Sequence, residues 1–327
     1  MIISNSTFKL LAISKLKGIG PKALDKISSL SSIDDVELED IISVHFPKFN
    51  YSKKEFAGVI EFANTQVKIA TENNHSILSI YDGEFPESLR NTYDAPKIVF
   101  CSGNVSIMNS RNITVIGTRE PTPHGAVIGR NVSEWFVRKG WGVVSGLAIG
   151  IDTIAHQSCI DSGGKTIAVL AHGLDRIYPK VNEGLASDIL RSGGLLVTEY
   201  AYESFMGKGN FVKRDRIQAA LSSSVFLVQT GLKGGSLHAS KAILDYQRYL
   251  VVLGQSRTDT DQKSEKCLGN LAIINNDFSY IAKQFGAAIN VNKNIVHLLN
   301  KNMYEDVNKM LKSIKFNGDD KSTSQLF

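Results

Sequence analysis

Residues 112–156 read NITVIGTREPTPHGAVIGRNVSEWFVRKGWGVVSGLAIGIDTIAH. Two short apolar, β-branched runs, ITVIG and WGVVSG, each lead through glycine into a stretch with helical spacing, the first extending to Lys139 and the second to Ser162. In the second, Ile151, Ile154, Ala155, Ser158 and Cys159 fall on one helical face, and Gly163 stands where a left-handed C-cap belongs. The rhythm continues through KTIAVLA (165–171), a helix ending near Gly193 with Asn182 placed as N-cap, LLVTEY (195–200), SVFLVQT (224–230) and YLVVLG (249–254). Apolar strands alternating with amphipathic helices predict an α/β fold: a parallel sheet with helices on both faces.

On either side of this block the pattern changes. Residues 1–75 show three- and four-residue apolar spacings over 10–30 and 53–74, which predicts a small helical domain. Between 76 and 111, Pro86 and Pro96 forbid long helices, so this lead-in is expected to join the sheet edge as extended pieces. Residues 76–285 then form the main domain, and 286–327 a short helical segment with a helix over 293–314 and a disordered tail, NGDDKSTSQLF. The polar run QSRTDTDQKSEK (255–266) reads as an exposed loop.

Composition narrows the function classes. No apolar run approaches the roughly 18–20 residues of a membrane span, so no membrane role is expected. The opening residues lack a basic start and a small-residue cleavage site, which reads as cytoplasmic. Cys101, Cys159 and Cys267 are odd in number and far apart, arguing against both a disulfide framework and a zinc site. A net charge of +5 permits a polyanionic partner without requiring one.

Ligands of open parallel sheets gather beyond the carboxyl ends of the strands, where glycines let backbone approach an anion at a helix start. Three strands here run into such loops: Thr118 and Arg119; Gly146, Leu147 and Ala148; and the run GLKGGSLHAS, in which Gly234, Gly235 and Ser236 can present successive N–H donors. Single glycine loops of this kind also serve tight turns alone. The densest basic cluster, GKGNFVKRDRIQAALS (207–222), supplies Lys208, Lys213, Arg214 and Arg216 as phosphate contacts, with Phe211 as a core anchor or a base-stacking platform. A second candidate is the helix–turn–helix of residues 16–27, LKGIGPKALDKI, where Lys17, Gly18, Gly20 and Lys22 can meet a DNA phosphate or form a purely structural hairpin. Walker and GxGxxG patterns are absent, as are HExxH, GxSxG and paired-carboxylate motifs. His124, His156, His172 and His238 read as core or capping residues, Asp152 and Asp175 as caps, and Glu199 as a lone acid.

The ordered series VIGTREPTPHG, VVSGLAIGIDTIAH, KTIAVLAHGLDRIYP, LLVTEY and GNFVKRDRIQAALS resembles the DNA-processing protein A family (DprA, also called Smf), over roughly residues 76–280. The hairpin-like start resembles the helical (helix-hairpin-helix or SAM-like) domain of many members. The resemblance implies an extended Rossmann-like domain that holds single-stranded DNA in a basic pocket, forms a homodimer, delivers the strand to a RecA-type recombinase during natural transformation, and uses no cofactor or catalysis. Residue by residue it points to Arg119, Gly146, Lys213, Arg214, Arg216, Gly235 and Ser236. The chain departs from the family's usual RNRIIAGLS, reading RDRIQAALS with Asp215 for Asn and Ala220 for Gly, and residues 286–327 are too few for the winged-helix domain many members carry. The rival expectations are a nucleotide-binding sensor and a phosphoribohydrolase of the LOG type, whose signature glutamate has no counterpart in GGSLHASKA.

Overall fold

The computed structural model describes residues 3–286 and 291–314. Its centre is a nine-stranded sheet: β1 (Ser76–Ser79), β2 (Ile98–Gly103), β3 (Asn112–Ile116), β4 (Gly142–Ser145), β5 (Thr166–Val169), β6 (Leu195–Thr198), β7 (Ser224–Leu227), β8 (Tyr249–Leu253) and β9 (Ile295–Leu298). The order is β1-β2-β6-β5-β4-β3-β7-β8-β9. The seven strands from β3 to β9 run parallel, while β1 and β2 add an antiparallel edge beside β6. The lead-in therefore does extend the sheet edge.

Side chains alternate between two buried faces, as the strand period demands. Val115, Val143, Phe226 and Val228 pack with Val132, Phe136 and Ile151 on one face. Ile116, Val225 and Leu227 turn the other way, onto Ala219, Leu237 and Ile243. The first face is covered by helices Pro123–Arg138 and Ile151–Asp161, the second by Lys208–Ala220 and Ser236–Asp245.

Four helices precede the sheet: α1 (Asn5–Ile13), α2 (Pro21–Ser28), α3 (Leu38–His45) and α4 (Lys53–Glu72). Helix α4 begins with a complete capping box between Ser52 and Glu55. The apolar faces of these helices share one core with Ile77, Ile98, Phe100 and Tyr202, so they are seated against β1, β2 and the segment after β6. Asp82 fastens the contact, its carboxylate accepting from Ser4 and Thr7, each at 2.6 Å. In the hairpin turn, Gly18 has φ +90°, and a Cβ there would lie 2.7 Å from the Phe49 ring.

Two expectations for the C-terminal third need correction. The 293–314 stretch is not one helix: Ile295–Leu298 forms β9, paired in parallel with β8, and after it a 3-10 turn at Lys301–Met303 leads into α-helix over Tyr304–Lys312. Its β-branched start found a sheet edge to complete, a non-local reward invisible to helical spacing. Nor is 255–266 an exposed loop throughout. Ser256 caps a helical turn, Arg257–Asp261, that buries Asp259, and Cys267 is buried just beyond it. The expected disordered tail, 317–327, lies outside the described residues. No helix among the described residues is long and apolar enough to cross a membrane.

Candidate nucleic-acid interface

Helices are labelled onward in chain order: α5 (Glu87–Arg90), α6 (Pro123–Arg138), α7 (Ile151–Asp161), α8 (Glu183–Arg191), α9 (Lys208–Ala220) and α10 (Ser236–Asp245). The chain leaves β3 toward β4 on one side, and β7 returns to β3's other side. The loops after β3 and β7 therefore diverge, opening a crevice at the point where sheets of this kind bind ligands. A cavity of about 400 Å³ lies there, lined by Thr118 and Arg119 after β3, Lys233 to Ser236 after β7, and one face of α9.

The upper rim is basic and rich in donors. Arg119 is exposed and makes no hydrogen bond or ion pair among the described residues. Gly235 and Ser236 open α10 at the cavity wall, and its first turn carries no acidic residue, so the positive end of the helix dipole lies there; the Leu237 and His238 N–H groups are bonded to Gly234 and Gly235 carbonyls. Lys233 and His238 line the same space. Lys233 was not singled out from sequence, although it directly precedes the glycine pair that drew attention, and His238, read as a core or capping residue, is exposed and lines the crevice instead.

The loop carrying Arg119 is held from below. Gln229 accepts from the Thr122 N–H at 2.8 Å, the Thr122 hydroxyl donates to buried Asp259 at 2.9 Å, and the same hydroxyl caps α6 through Gly125 N–H at 2.9 Å. The segment after β4 is fixed just as closely. Asp152 accepts from Gly146 and Ala148 N–H at 3.1 and 3.3 Å. Leu147 is held in left-handed backbone at φ +59° by its fully buried side chain, with Asn182 donating to its carbonyl at 2.8 Å. Asn182 thus begins α8 without capping it through its side chain.

Helical geometry divides the basic run. Phe211, Val212, Arg214, Asp215 and Gln218 line the crevice, while Lys208, Lys213 and Arg216 do not. Arg216 turns to the opposite side, donating to Glu199 at 2.6 Å with Asp94 at 3.8 Å. Burial raises the Glu199 pKa against that pairing.

Arg214, read from sequence as a phosphate contact, is buried, and its guanidinium is already engaged. Nη1 donates to Gly146 O at 2.6 Å and to Val169 O, and Nε donates to Asp215 at 3.1 Å. It ties the ends of β4 and β5 to α9. Gly146 is required by this contact, because a Cβ there would stand 2.4 Å from Nη1. Two carboxylates flank the arginine: burial pushes both Asp152 and Asp215 up to about 6, against the pull of Arg214.

The four histidines are not grouped as a catalytic set. His156 is fully buried, its Nδ1 2.7 Å from the Thr166 hydroxyl, and burial, then Arg214, pushes its pKa down to about 3. No group of three or more His, Cys, Asp or Glu among the described residues is placed to hold a metal. The hairpin residues Lys17, Gly18, Gly20 and Lys22 lie outside the crevice. Their helices flank a separate cleft of about 250 Å³ that includes Lys15, Lys97 and Tyr200.

Residues 76–288, well over half of the chain, match the family model described as DNA recombination-mediator protein A. The chain belongs to that family. Among curated members it is 36% identical to Protein Smf of Synechocystis over 189 residues, covering 57% of this chain and 47% of that protein. It is 34% identical to the DNA processing protein DprA of Bacillus subtilis, covering 58% of this chain and 63% of that protein. The chain thus spans about half to two-thirds of the length of these relatives. Among solved structures, DNA processing protein A of Streptococcus pneumoniae superposes with a TM-score of 0.64 at 27% identity, covering 83% of this chain and 98% of that one. The Helicobacter pylori protein, described for its single-stranded DNA binding mode, gives 0.58 at 27% identity, covering 74% of this chain and 97% of that one.

Proposed function

We propose that this chain binds single-stranded DNA in the switch-point crevice and acts as a recombination mediator, protecting the strand and loading a RecA-type recombinase as a cytoplasmic homodimer during natural transformation. The observation that carries the reading is the rim: Arg119, without a hydrogen bond or ion pair among the described residues, Lys233 and the start of α10 line one cavity in a member of this family. Such a rim suits a backbone phosphate, with arginine gripping oxygens and helix N–H groups meeting the same charge. Phe211, on the crevice wall, is a stacking surface for a base. Lys208 and Lys213 contribute charge outside the crevice, and Lys17 and Lys22 of the hairpin make a secondary contact. The role is binding without catalysis or cofactor: Asp152 and Asp215 serve to hold the 146–148 loop and Arg214.

Titration of a labelled oligo-dT and a matching duplex at several salt concentrations tests this, with Arg119→Glu and Lys233→Glu alongside. Single-strand preference with a salt-dependent affinity, weakened in both variants, is the expected result. Equal indifference of wild type to both nucleic acids at low salt would overturn it. Light scattering of the full chain, and co-sedimentation with recombinase on DNA, test the homodimer and the loading role. A second reading, a mononucleotide sensor, is favoured by the cavity's volume of about 400 Å³, which suits a small ligand. It predicts mononucleotide binding without oligonucleotide binding.

A further inference from the structure

Beneath the basic rim the charge count reverses. Asp152 of α7 and Asp215 of α9 both line the crevice, and both lie within the field of one guanidinium, that of Arg214. Ionised, the three leave the crevice floor with one net negative charge. Among the described residues no other cation cancels it by contact: Asp215 accepts from Arg214 Nε at 3.1 Å and Gln218 Nε2 at 2.9 Å, and Asp152 from the Gly146 and Ala148 N–H groups. Asp152 is buried, whereas Asp215 keeps 13% of its side chain exposed, so it is Asp215 whose charge meets whatever fills the crevice. The field of Arg119 reaches Asp215 from the loop after β3, Lys233 and His238 line the same cavity from beyond β7 and from α10, and His156 of α7, buried and neutral, adds no charge. A phosphate drawn to Arg119 and Lys233 therefore settles beside a like charge.

We propose that Asp215 is an affinity-determining residue of this site, a built-in counter-charge that weakens phosphate binding at neutral pH and is relieved when a proton neutralises the floor. The proposal rests on the phosphate-binding reading of the rim. One proton, taken up by either Asp152 or Asp215, brings the floor to neutrality. Burial holds both carboxyls up to about 6 against the pull of Arg214, so the change falls in mild acid. This role is distinct from holding Arg214, for which an amide oxygen in the place of the carboxylate serves as acceptor. A protein that passes a strand to a partner needs a contact it can release, and affinity lost to the floor charge is expressed chiefly as faster release.

The test is fluorescence anisotropy of the full chain on a dT 12-mer, whose bases do not titrate in the range used. Wild type is compared with Asp215→Asn at pH 7.5 and at pH 5, each chain checked by thermal melting to remain folded. Removing one unit charge across a wet crevice predicts roughly 3- to 30-fold tighter binding by the variant at pH 7.5. Slower release in a competitor chase accompanies it, and the two affinities converge at pH 5. Protonation of other groups, the histidines included, acts on both chains alike, so the ratio of the two affinities is the readout. If the asparagine chain does not fold, Asp215→Ser takes its place under the same criteria. Equal or weaker binding by the variant at pH 7.5 overturns the proposal and leaves Asp215 a support for Arg214, with the strand-binding reading standing. A gain that persists undiminished at pH 5 also overturns it, because the effect then does not follow the charge. If neither chain binds the oligomer at low salt at either pH, the strand-binding reading itself fails and the proposal falls with it.

Discussion

Arg214→Met retains much of the aliphatic bulk but removes a guanidinium that is buried among two backbone carbonyls and two carboxylates. Stripping one partner from a buried ion pair costs about 3–5 kcal/mol. Each orphaned carbonyl adds about 1–3 kcal/mol. Part of this is offset, because Asp152 and Asp215 already titrate near 6 and can take up protons once the arginine is gone. A net loss of about 3–5 kcal/mol corresponds to a fall in Tm of roughly 6–20 °C for a domain of this size. Arg119→Met, at an exposed side chain with no hydrogen bond or ion pair among the described residues, should change stability by no more than about 0.5 kcal/mol while weakening oligonucleotide binding. Thermal melts and urea titrations, run beside anisotropy on the same preparations, separate the two variants. If Arg214→Met melts within about 2 °C of wild type yet no longer binds DNA, the argument fails and Arg214 is a direct phosphate ligand.

Gly146→Ala is expected to destabilise by pushing a methyl into the Arg214 Nη1 position, 2.4 Å away, and to cost much less in an Arg214→Met background; additive losses in a double-mutant cycle would contradict the contact. Removing the Arg119 charge should lower the slope of log affinity against log salt by about 0.7, the contribution of one single-strand phosphate, and an unchanged slope would place Arg119 off the strand. Asp215 has its folded pKa raised from 3.8 to about 6 by burial, so the ionised form opposes folding above that pH and the protonated form relieves it as pH falls toward 4. Relative to wild type, Asp215→Asn should therefore fare better at pH 7.5 than at pH 4, the change falling between about pH 6 and 4; a difference that moves in the variant's favour on acidification contradicts the assignment. His156 has the opposite sign, since burial depresses its pKa to about 3 and the unfolded chain takes the proton first, so His156→Leu should flatten the loss of stability between pH 6.5 and 3.5.

Much of the site was readable in advance because its carriers are loop glycines and charges at strand ends, and strand ends follow from apolar runs. Arg119, Gly235 and Ser236 are positioned by immediate local context, a strand before them or a helix after, and the structure brings all three to one cavity. The basic run was less readable. Residues 208 and 213–216 are neighbours in sequence, but a helix sends successive side chains about 100° apart, so Arg214 faces the crevice and Arg216 faces Glu199. Which face is buried depends on what α9 packs against. Arg214's partners, Gly146 and Val169, lie 68 and 45 residues away. Asp259 was read as loop for the same reason: its burial rests on Thr122, 137 residues earlier.

Local pattern alone determined the parallel α/β sheet, the helical start and the glycine loops where an anion can approach, because strand and helix periods and glycine's backbone freedom act over a few residues. Only the tertiary structure decided which charges stay free and which are consumed, and that β9 completes the sheet. Those outcomes depend on distant segments meeting, and on whether a buried charge finds its partner there.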